Sequence, residues 1–151
     1  MPNYKVIVVN HKVKILDPES WLSGLIKLFT WSKYNHSALY EVGETYFSTY
    51  VIEARAKGVV RVSWHDWLCH REKAFVIFES NIPIREDRVK ESIGLKYDIL
   101  SLFQQAFYII FKIWLGRTDQ KQLNCSEAIA WYYNLPKPYS WTAKKLFEYF
   151  K

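Results

Sequence analysis

One stretch of the sequence combines a thiol with the residues that begin a helix. Asn124 is a favoured helix N-cap, and Glu127 stands three residues later, where a capping-box carboxylate reaches back to the cap amide. Cys125 would then lie on the first turn, where unpaired backbone N–H groups and the helix dipole favour thiolate over thiol. The pattern indicates a cysteine nucleophile. The alternative is an inert, buried cysteine, because free cysteine is among the most buried residue types.

A cysteine nucleophile needs an imidazole that can take its proton. His36 is the best candidate among the four histidines, because it stands at the start of a strand predicted over Ser37 to Tyr40. A side chain at that point can be held rigidly over a cleft. The alternative is a histidine that bonds only to a backbone carbonyl at the edge of a strand.

A third polar group would have to orient this imidazole. Glu53 is an acidic residue inside an otherwise apolar predicted strand. A buried carboxylate is costly unless it is paired, so Glu53 either points to solvent or has a partner such as His36. Strand alternation leaves both possibilities open.

Four short motifs occur in order along the chain: Asn35 to Tyr40, Val51 to Ala54 with Lys57 to Val59, Lys96 to Asp98, and Asn124 to Glu127. Together they resemble motifs of the circularly permuted NlpC-type papain-like cysteine hydrolases, above all the YiiX/YebB-like group. In that family a histidine starts a strand, a glutamate follows on a later strand, and a cysteine opens a helix. The resemblance covers about residues 34 to 150, and Asn35 departs from it where serine is common.

The resemblance implies a cysteine hydrolase of the amidase or peptidase type. Cys125 would be the nucleophile, His36 the general base and then acid, and Glu53 the residue that orients His36. The substrate would be a peptide, an amide or an acyl ester, cleaved through a thioester acyl-enzyme without a cofactor. The Cys125 backbone N–H would form part of the oxyanion hole, with Tyr97 and Ser126 as further residues near the oxyanion and the substrate.

A second group of chemically versatile residues runs from His65 to His70. It offers His, Asp and Cys side chains at helical spacing, but a structural zinc usually needs four ligands and the sequence has no second cluster. We therefore expect no metal site. Cys69 is expected to fill the core and the two histidines to lie on the surface.

Hydrophobic patterning predicts the elements that must position these residues. The predicted fold belongs to the α+β class, with helices packed on a central antiparallel sheet or half-barrel. One domain is expected over residues 1–151. The resemblance adds a permuted papain-like fold. Strands are predicted at 4–9, 37–40, 46–54, 59–62 and, as a buried strand, 74–79. Helices are predicted at 21–31, 85–93, 99–114, from 124 to the prolines at 136 and 138, and at 142–149.

Composition sets limits on location and partners. The 151 residues are 50% apolar, which suits a chain that folds alone. The net charge of +6 is scattered without basic blocks, so a solvated surface is expected and nucleic-acid binding is not. Two cysteines and no signal-peptide pattern at the start favour a reducing, cytoplasmic setting. Oligomeric state and source organism are open.

The aromatic-rich helices predicted at 21–31 and 99–114 indicate an alternative function. The second is interrupted by Gln104, Gln105 and Lys112 and is shorter than the roughly 20 residues of a membrane-spanning helix. Core packing is the expected role of both helices. The alternatives are a non-catalytic module that binds a membrane surface or an anionic partner on the same scaffold, or a lipid acyl hydrolase or acyltransferase.

Overall fold

One antiparallel sheet organises the chain, as seen in a computed structural model that describes residues 3–12, 24, 26–28, 30, 32–70, 73–111, 113 and 122–151. Its strands lie side by side in the order β4-β3-β2-β1-β5. The first four form a meander, and the last returns to pair with β1. The strands are β1 (Asn3–His11), β2 (His36–Val42), β3 (Tyr50–Arg55), β4 (Gly58–Ser63) and β5 (Lys73–Glu79).

Helices follow mainly in the second half, so the predicted α+β class is confirmed. A short parallel pair, β6 with β7, lies between them and was not predicted. The helices are α1 (Trp64–Cys69), α2 (Glu86–Ser92), α3 (Ile99–Phe111), α4 (Cys125–Tyr132) and α5 (Ala143–Phe150). The short strands are β6 (Lys96–Tyr97) and β7 (Gln122–Leu123), and 3-10 turns occur at Tyr46–Ser48 and Pro138–Ser140.

The sheet is covered on both faces because β1 is apolar at every central position. Val6 and Val8 join the core cluster that includes α4 and α5, whereas Ile7 and Val9 point to the opposite face. Successive side chains of a strand alternate between faces, so one strand supplies both cores. Trp67 of α1 covers the second face and is fully buried.

The helix α4 begins where the sequence predicts it. The Asn124 side-chain oxygen accepts hydrogen bonds from the N–H groups of Ser126 at 3.1 Å and Glu127 at 2.9 Å. The Asn124 side-chain amide in turn donates to the Glu127 carboxylate at 3.3 Å. Cys125 is therefore the first residue of the helix.

The opposite end of α4 is held by α2. The Arg88 guanidinium donates to the Trp131 carbonyl at 2.7 Å, and the Arg85 backbone N–H donates to the Tyr132 carbonyl at 2.9 Å. These bonds satisfy carbonyl groups that a helix end leaves without intrahelical partners. The helix ends at Tyr132, before the first of the prolines that were expected to stop it.

Gly58 connects the sheet to the segment that carries β6. Its φ of +118° is a conformation that other residues adopt only with strain, and a Cβ atom there would lie 2.6 Å from the Leu95 carbonyl oxygen. The neighbouring Val59 N–H donates to that same oxygen at 2.8 Å. The glycine therefore permits the close approach that places β6, and with it Tyr97, beside the sheet.

Two predicted core elements are more exposed than the patterning indicated. The strand at 74–79 exists, but β5 lies at the sheet edge and exposes Val76 and Ile77, so the prediction that it is buried was wrong. Helix α3 exposes much of its apolar face to solvent, in contrast to its expected role in the core.

Other differences are local. The strand predicted at 46–54 begins with the 3-10 turn capped by Thr45, and β3 starts only at Tyr50. The helix predicted at 21–31 falls largely outside the described residues, of which Gly24, 26–28 and Thr30 are helical. The part of the chain that the structure describes contains no helix with the length and apolarity needed to cross a bilayer.

Candidate active site

Three side chains predicted from the sequence meet at one place. The Cys125 thiol interacts with the ring of His36, and Nε2 of that ring lies 2.6 Å from a carboxylate oxygen of Glu53. Because Glu53 occupies Nε2, Nδ1 is the nitrogen left to face the sulfur. Cys125 is 3% exposed, and the other two residues are also buried. The arrangement is a buried cluster in which the imidazole bonds to the carboxylate and interacts with the thiol.

His36 is fixed by the residue before it. The Asn35 side-chain oxygen accepts from the His11 N–H at 2.9 Å, and its amide donates to the His11 carbonyl at 3.3 Å. The Asn35 backbone N–H donates to the Val9 carbonyl at 3.0 Å. A buried asparagine thus ties the start of β2 to the end of β1. This is a structural role for the position where the family resemblance would have a serine.

The Glu53 carboxylate is buried with three donors. One oxygen accepts from His36 and from the Trp67 indole N–H at 3.1 Å, and the other pairs with the Arg55 guanidinium. Of the two possibilities left open by strand alternation, the paired one is observed. A buried carboxylate is tolerated when its lone pairs are satisfied in this way.

The electrostatics of the site favour separated charges. Burial raises the pKa of the Cys125 thiol, but the hydrogen bond and positive charge of His36 outweigh it and the pKa falls below its usual value. Burial lowers the pKa of His36, but the Cys125 sulfur and the Glu53 carboxylate outweigh it and raise that pKa well above its usual range. These opposite shifts favour a thiolate–imidazolium pair at neutral pH.

Glu53 stays ionised in this setting. Burial alone would raise its pKa, but His36, the Arg55 charge and the Trp67 N–H lower it to about 2. The carboxylate is therefore an acceptor throughout the neutral range and stabilises the imidazolium form of His36.

Polar groups surround the sulfur on other sides. The Tyr97 hydroxyl interacts with Cys125, and burial, followed by the negative charge of Cys125, raises the pKa of Tyr97. The Ser126 hydroxyl lies 3.9 Å from the Cys125 sulfur and 3.4 Å from the Ser37 hydroxyl. The Ser37 backbone N–H also interacts with the sulfur and lowers the pKa of the thiol. The sulfur is therefore surrounded by polar groups as well as by the imidazole.

Some of these contributors were missed by the sequence analysis. Arg55 lies two residues after Glu53 on the same face of β3, so strand alternation could have identified it. Trp67 had no comparable signal, because its approach to Glu53 depends on how α1 folds over the sheet. The Ser37 N–H is a backbone group, and no residue type encodes its direction.

The second cysteine lies elsewhere. Cys69 is exposed on α1, so the expectation that it fills the core was wrong. Its sulfur lies 4.0 Å from Nε2 of His65, which is also exposed. Among the residues that the structure describes, no group of three or more His, Cys, Asp or Glu side chains could hold a metal ion.

Comparison with known proteins adds no assignment. No model of a known family matches the chain, and no curated protein matches its sequence. The family resemblance therefore depends on the short motifs alone, and the chemistry of the site has to be argued from its geometry.

Proposed function

We propose that the protein is a cysteine hydrolase that cleaves an amide or an ester through a thioester acyl-enzyme. In this proposal Cys125 is the nucleophile, His36 the general base and acid, and Glu53 the positioning residue for His36. The observation that carries it is the buried cluster of these three side chains, in which His36 bonds to Glu53 and interacts with the Cys125 sulfur. Peptides, simple amides and acyl esters are the substrate classes that this chemistry would accept.

Acylation follows from the charge state of the pair. The Cys125 thiolate attacks the carbonyl carbon, a carbon–sulfur bond forms, and the carbonyl electrons move to oxygen. The Cys125 backbone N–H at the start of α4 and the Tyr97 hydroxyl are the donors available to that oxyanion. The imidazolium of His36 then gives its proton to the leaving amine or alcohol as the tetrahedral intermediate collapses to a thioester.

Deacylation reverses the proton transfers. The neutral His36 ring takes a proton from water, and the resulting hydroxide attacks the thioester carbon. Collapse of the second tetrahedral intermediate breaks the carbon–sulfur bond and releases a carboxylic acid. Glu53 accepts the Nε2 hydrogen throughout, which keeps Nδ1 directed at the sulfur.

The same observations support a permuted papain-like, NlpC-type fold as part of the proposal. The histidine starts a strand, the carboxylate lies on the adjacent strand, and the cysteine opens a helix packed on the sheet. The histidine precedes the cysteine in the chain, as in the family that the motifs resemble. One domain over residues 1–151 and a cytoplasmic location belong to the same proposal.

The decisive measurement is the rate of Cys125 alkylation by iodoacetamide between about pH 4 and pH 9. It is made in a Cys69→Ser background, which removes the exposed second thiol. We expect the titration midpoint of Cys125 to lie well below the usual thiol value of about 8.5 and to rise toward it in His36→Ala. The midpoint is the informative quantity, because the burial of Cys125 slows the absolute rate at every pH.

His11 supplies a matched control for the histidine substitution. Its ring is buried with its centroid 5.3 Å from that of His36, but Glu53 bonds to the ring of His36. A His11→Ala variant should therefore keep the low midpoint. A parent midpoint near 8.5, or one that does not respond to the loss of His36, would reject the hydrolase.

A further inference from the structure

Helix α3 packs on the protein through its polar side. Ser101 and Gln105 are buried, although both are polar. The Ser101 hydroxyl accepts from the Asn124 side-chain amide at 2.8 Å, and the Gln105 amide donates to the Tyr139 carbonyl at 3.0 Å and to the Trp141 carbonyl. The helix is thus reversed relative to an ordinary surface helix, which buries its apolar side.

The apolar side of the same helix faces solvent. Leu100 is 65% exposed, Phe103 53%, Ile110 61% and Phe111 56%. Their spacing of three, seven and one residues keeps them within one broad stripe along the helix. Phe107 extends the stripe, since its ring centroid lies 4.4 Å from that of Phe111. An exposed stripe of this kind indicates an interaction surface, because isolated folded proteins rarely leave large apolar side chains clustered in water.

The net charge of the chain selects the partner. The sequence from 98 to 119 is neutral overall, with Asp98 and Asp119 balancing Lys112 and Arg117, whereas the whole chain carries a net charge of +6. A second copy of this chain would bring the same positive charge, whereas an anionic lipid surface complements it. The 13 residues of α3 extend about 20 Å, too short to cross a bilayer core of about 30 Å.

We propose that α3 docks the protein on an anionic lipid surface, with Leu100, Phe103, Ile110 and Phe111 buried at the boundary between headgroups and acyl chains. The helix then lies parallel to the membrane, and its polar side remains bonded to the protein. The docked surface lies close to the candidate active site, because Ser101 of α3 bonds to Asn124, the residue before Cys125. The docking itself does not require the cysteine to be a nucleophile.

The test is co-sedimentation of the full chain with vesicles of phosphatidylcholine and phosphatidylglycerol, compared with vesicles of phosphatidylcholine alone. We expect binding to the mixed vesicles that weakens as salt is raised. A Leu100→Ser/Phe103→Ser double variant should bind at least about 10-fold more weakly, because two large apolar side chains no longer insert. The matched control is Tyr46→Ser/Phe47→Ser, which removes two exposed aromatic side chains from a turn elsewhere and should bind like the parent.

Four outcomes would overturn the proposal. The parent could fail to bind anionic vesicles, or both double variants could lose binding equally. A concentration-dependent dimer that the α3 variant abolishes would assign the stripe to a second copy of the chain. A thermal unfolding midpoint lowered only in the α3 variant would mean that the stripe is packed within the folded protein.

Discussion

At the scale of single residues, the site depends on which nitrogen of His36 carries a hydrogen. The Glu53 carboxylate can only accept, so it requires a hydrogen on Nε2 and directs Nδ1 to the Cys125 sulfur. Its charge also stabilises the imidazolium that accompanies the thiolate. One buried carboxylate therefore controls both the orientation and the protonation of the ring.

A Glu53→Gln substitution separates this role from simple packing. Loss of the negative charge lowers the pKa of His36, and the imidazolium then stabilises the thiolate less. We expect the alkylation midpoint of Cys125 to rise by about one pH unit, less than in His36→Ala. The measurement is the same iodoacetamide titration in the Cys69→Ser background.

Glu41→Gln is the matched control for this prediction. Glu41 lies on the adjacent strand β2 and is also paired with an arginine, since Nε of Arg61 lies 2.7 Å from its carboxylate. It makes no contact with His36 or Cys125 in the described structure. If the parent and Glu53→Gln had equal pH midpoints of Cys125 alkylation, the charge of Glu53 would have no influence on the thiol and its role would be structural only.

The individual residues were predicted unequally well. Cys125 could be identified because its signal is local: an N-cap, a capping-box carboxylate and an apolar helix within ten residues. For Glu53 the sequence left two possibilities, exposure to solvent or pairing with a partner such as His36. The choice between them depends on which residues cover the sheet. The covering residue is Trp67, which belongs to a helix that is not among those predicted from the sequence.

At the scale of elements, the first turn of α4 brings together two acids as well as the thiol. The Glu127 carboxylate is largely buried and lies near Asp98. Burial, with a further contribution from Asp98, raises its pKa to about 7, although the Asn124 N–H lowers it. The charge of a capping carboxylate is therefore partly unfavourable at this helix.

Because burial and Asp98 disfavour the charge of Glu127, we expect Glu127→Gln to change the stability of the fold in a pH-dependent way. Glu127 binds its proton below about pH 7 in the folded chain but only near pH 4.5 when unfolded, so stability falls as pH rises through that window. The glutamine keeps an acceptor for the cap N–H and removes the charge. We expect the variant to unfold a few degrees higher than the parent at about pH 8, and to match it at about pH 4.

Thermal unfolding followed by circular dichroism at the two pH values checks this prediction. Glu148→Gln, on the terminal helix α5, is the control for loss of one acidic charge. A Glu127→Gln variant that is less stable than the parent at about pH 8 would mean that attraction between the carboxylate and the helix dipole outweighs the cost of burial.

Elements defined by local signals were predicted, whereas their burial was not. The N-cap at Thr142 places α5 within one residue of its prediction. The apolar sequence of α3 predicted a core helix, because composition cannot show that Ser101 and Gln105 are the residues that pack. Likewise, the apolar run of β5 could not show that the strand lies at the edge of the sheet, which depends on strand order.

At the scale of the whole molecule, the two halves of the site come from distant parts of the chain. All five strands of the sheet lie between residues 3 and 79, whereas Cys125 belongs to a helix that follows much later. The contact between α4 and β2 brings them together. The low pKa of the thiol is therefore a property of the assembled fold, and an isolated helix would keep only the contribution of its own terminus.

Urea should remove this property together with the fold. In the unfolded chain Cys125 is an ordinary thiol with a pKa near 8.5. We expect the pH midpoint of alkylation in the Cys69→Ser background to rise toward that value with urea, over the range in which tryptophan fluorescence reports unfolding. A rise at clearly lower urea would show that the helix separates from the sheet before global unfolding.

The order of the sequence has a consequence for the newly made chain. Translation completes the strands that carry His36 and Glu53 well before it reaches Cys125, so the imidazole and the carboxylate can assemble on the ribosome before the thiol arrives. The cysteine then emerges as an ordinary protonated thiol. Its pKa falls only when the helix that carries it closes on the sheet, which shields the unfinished protein from oxidants and electrophiles.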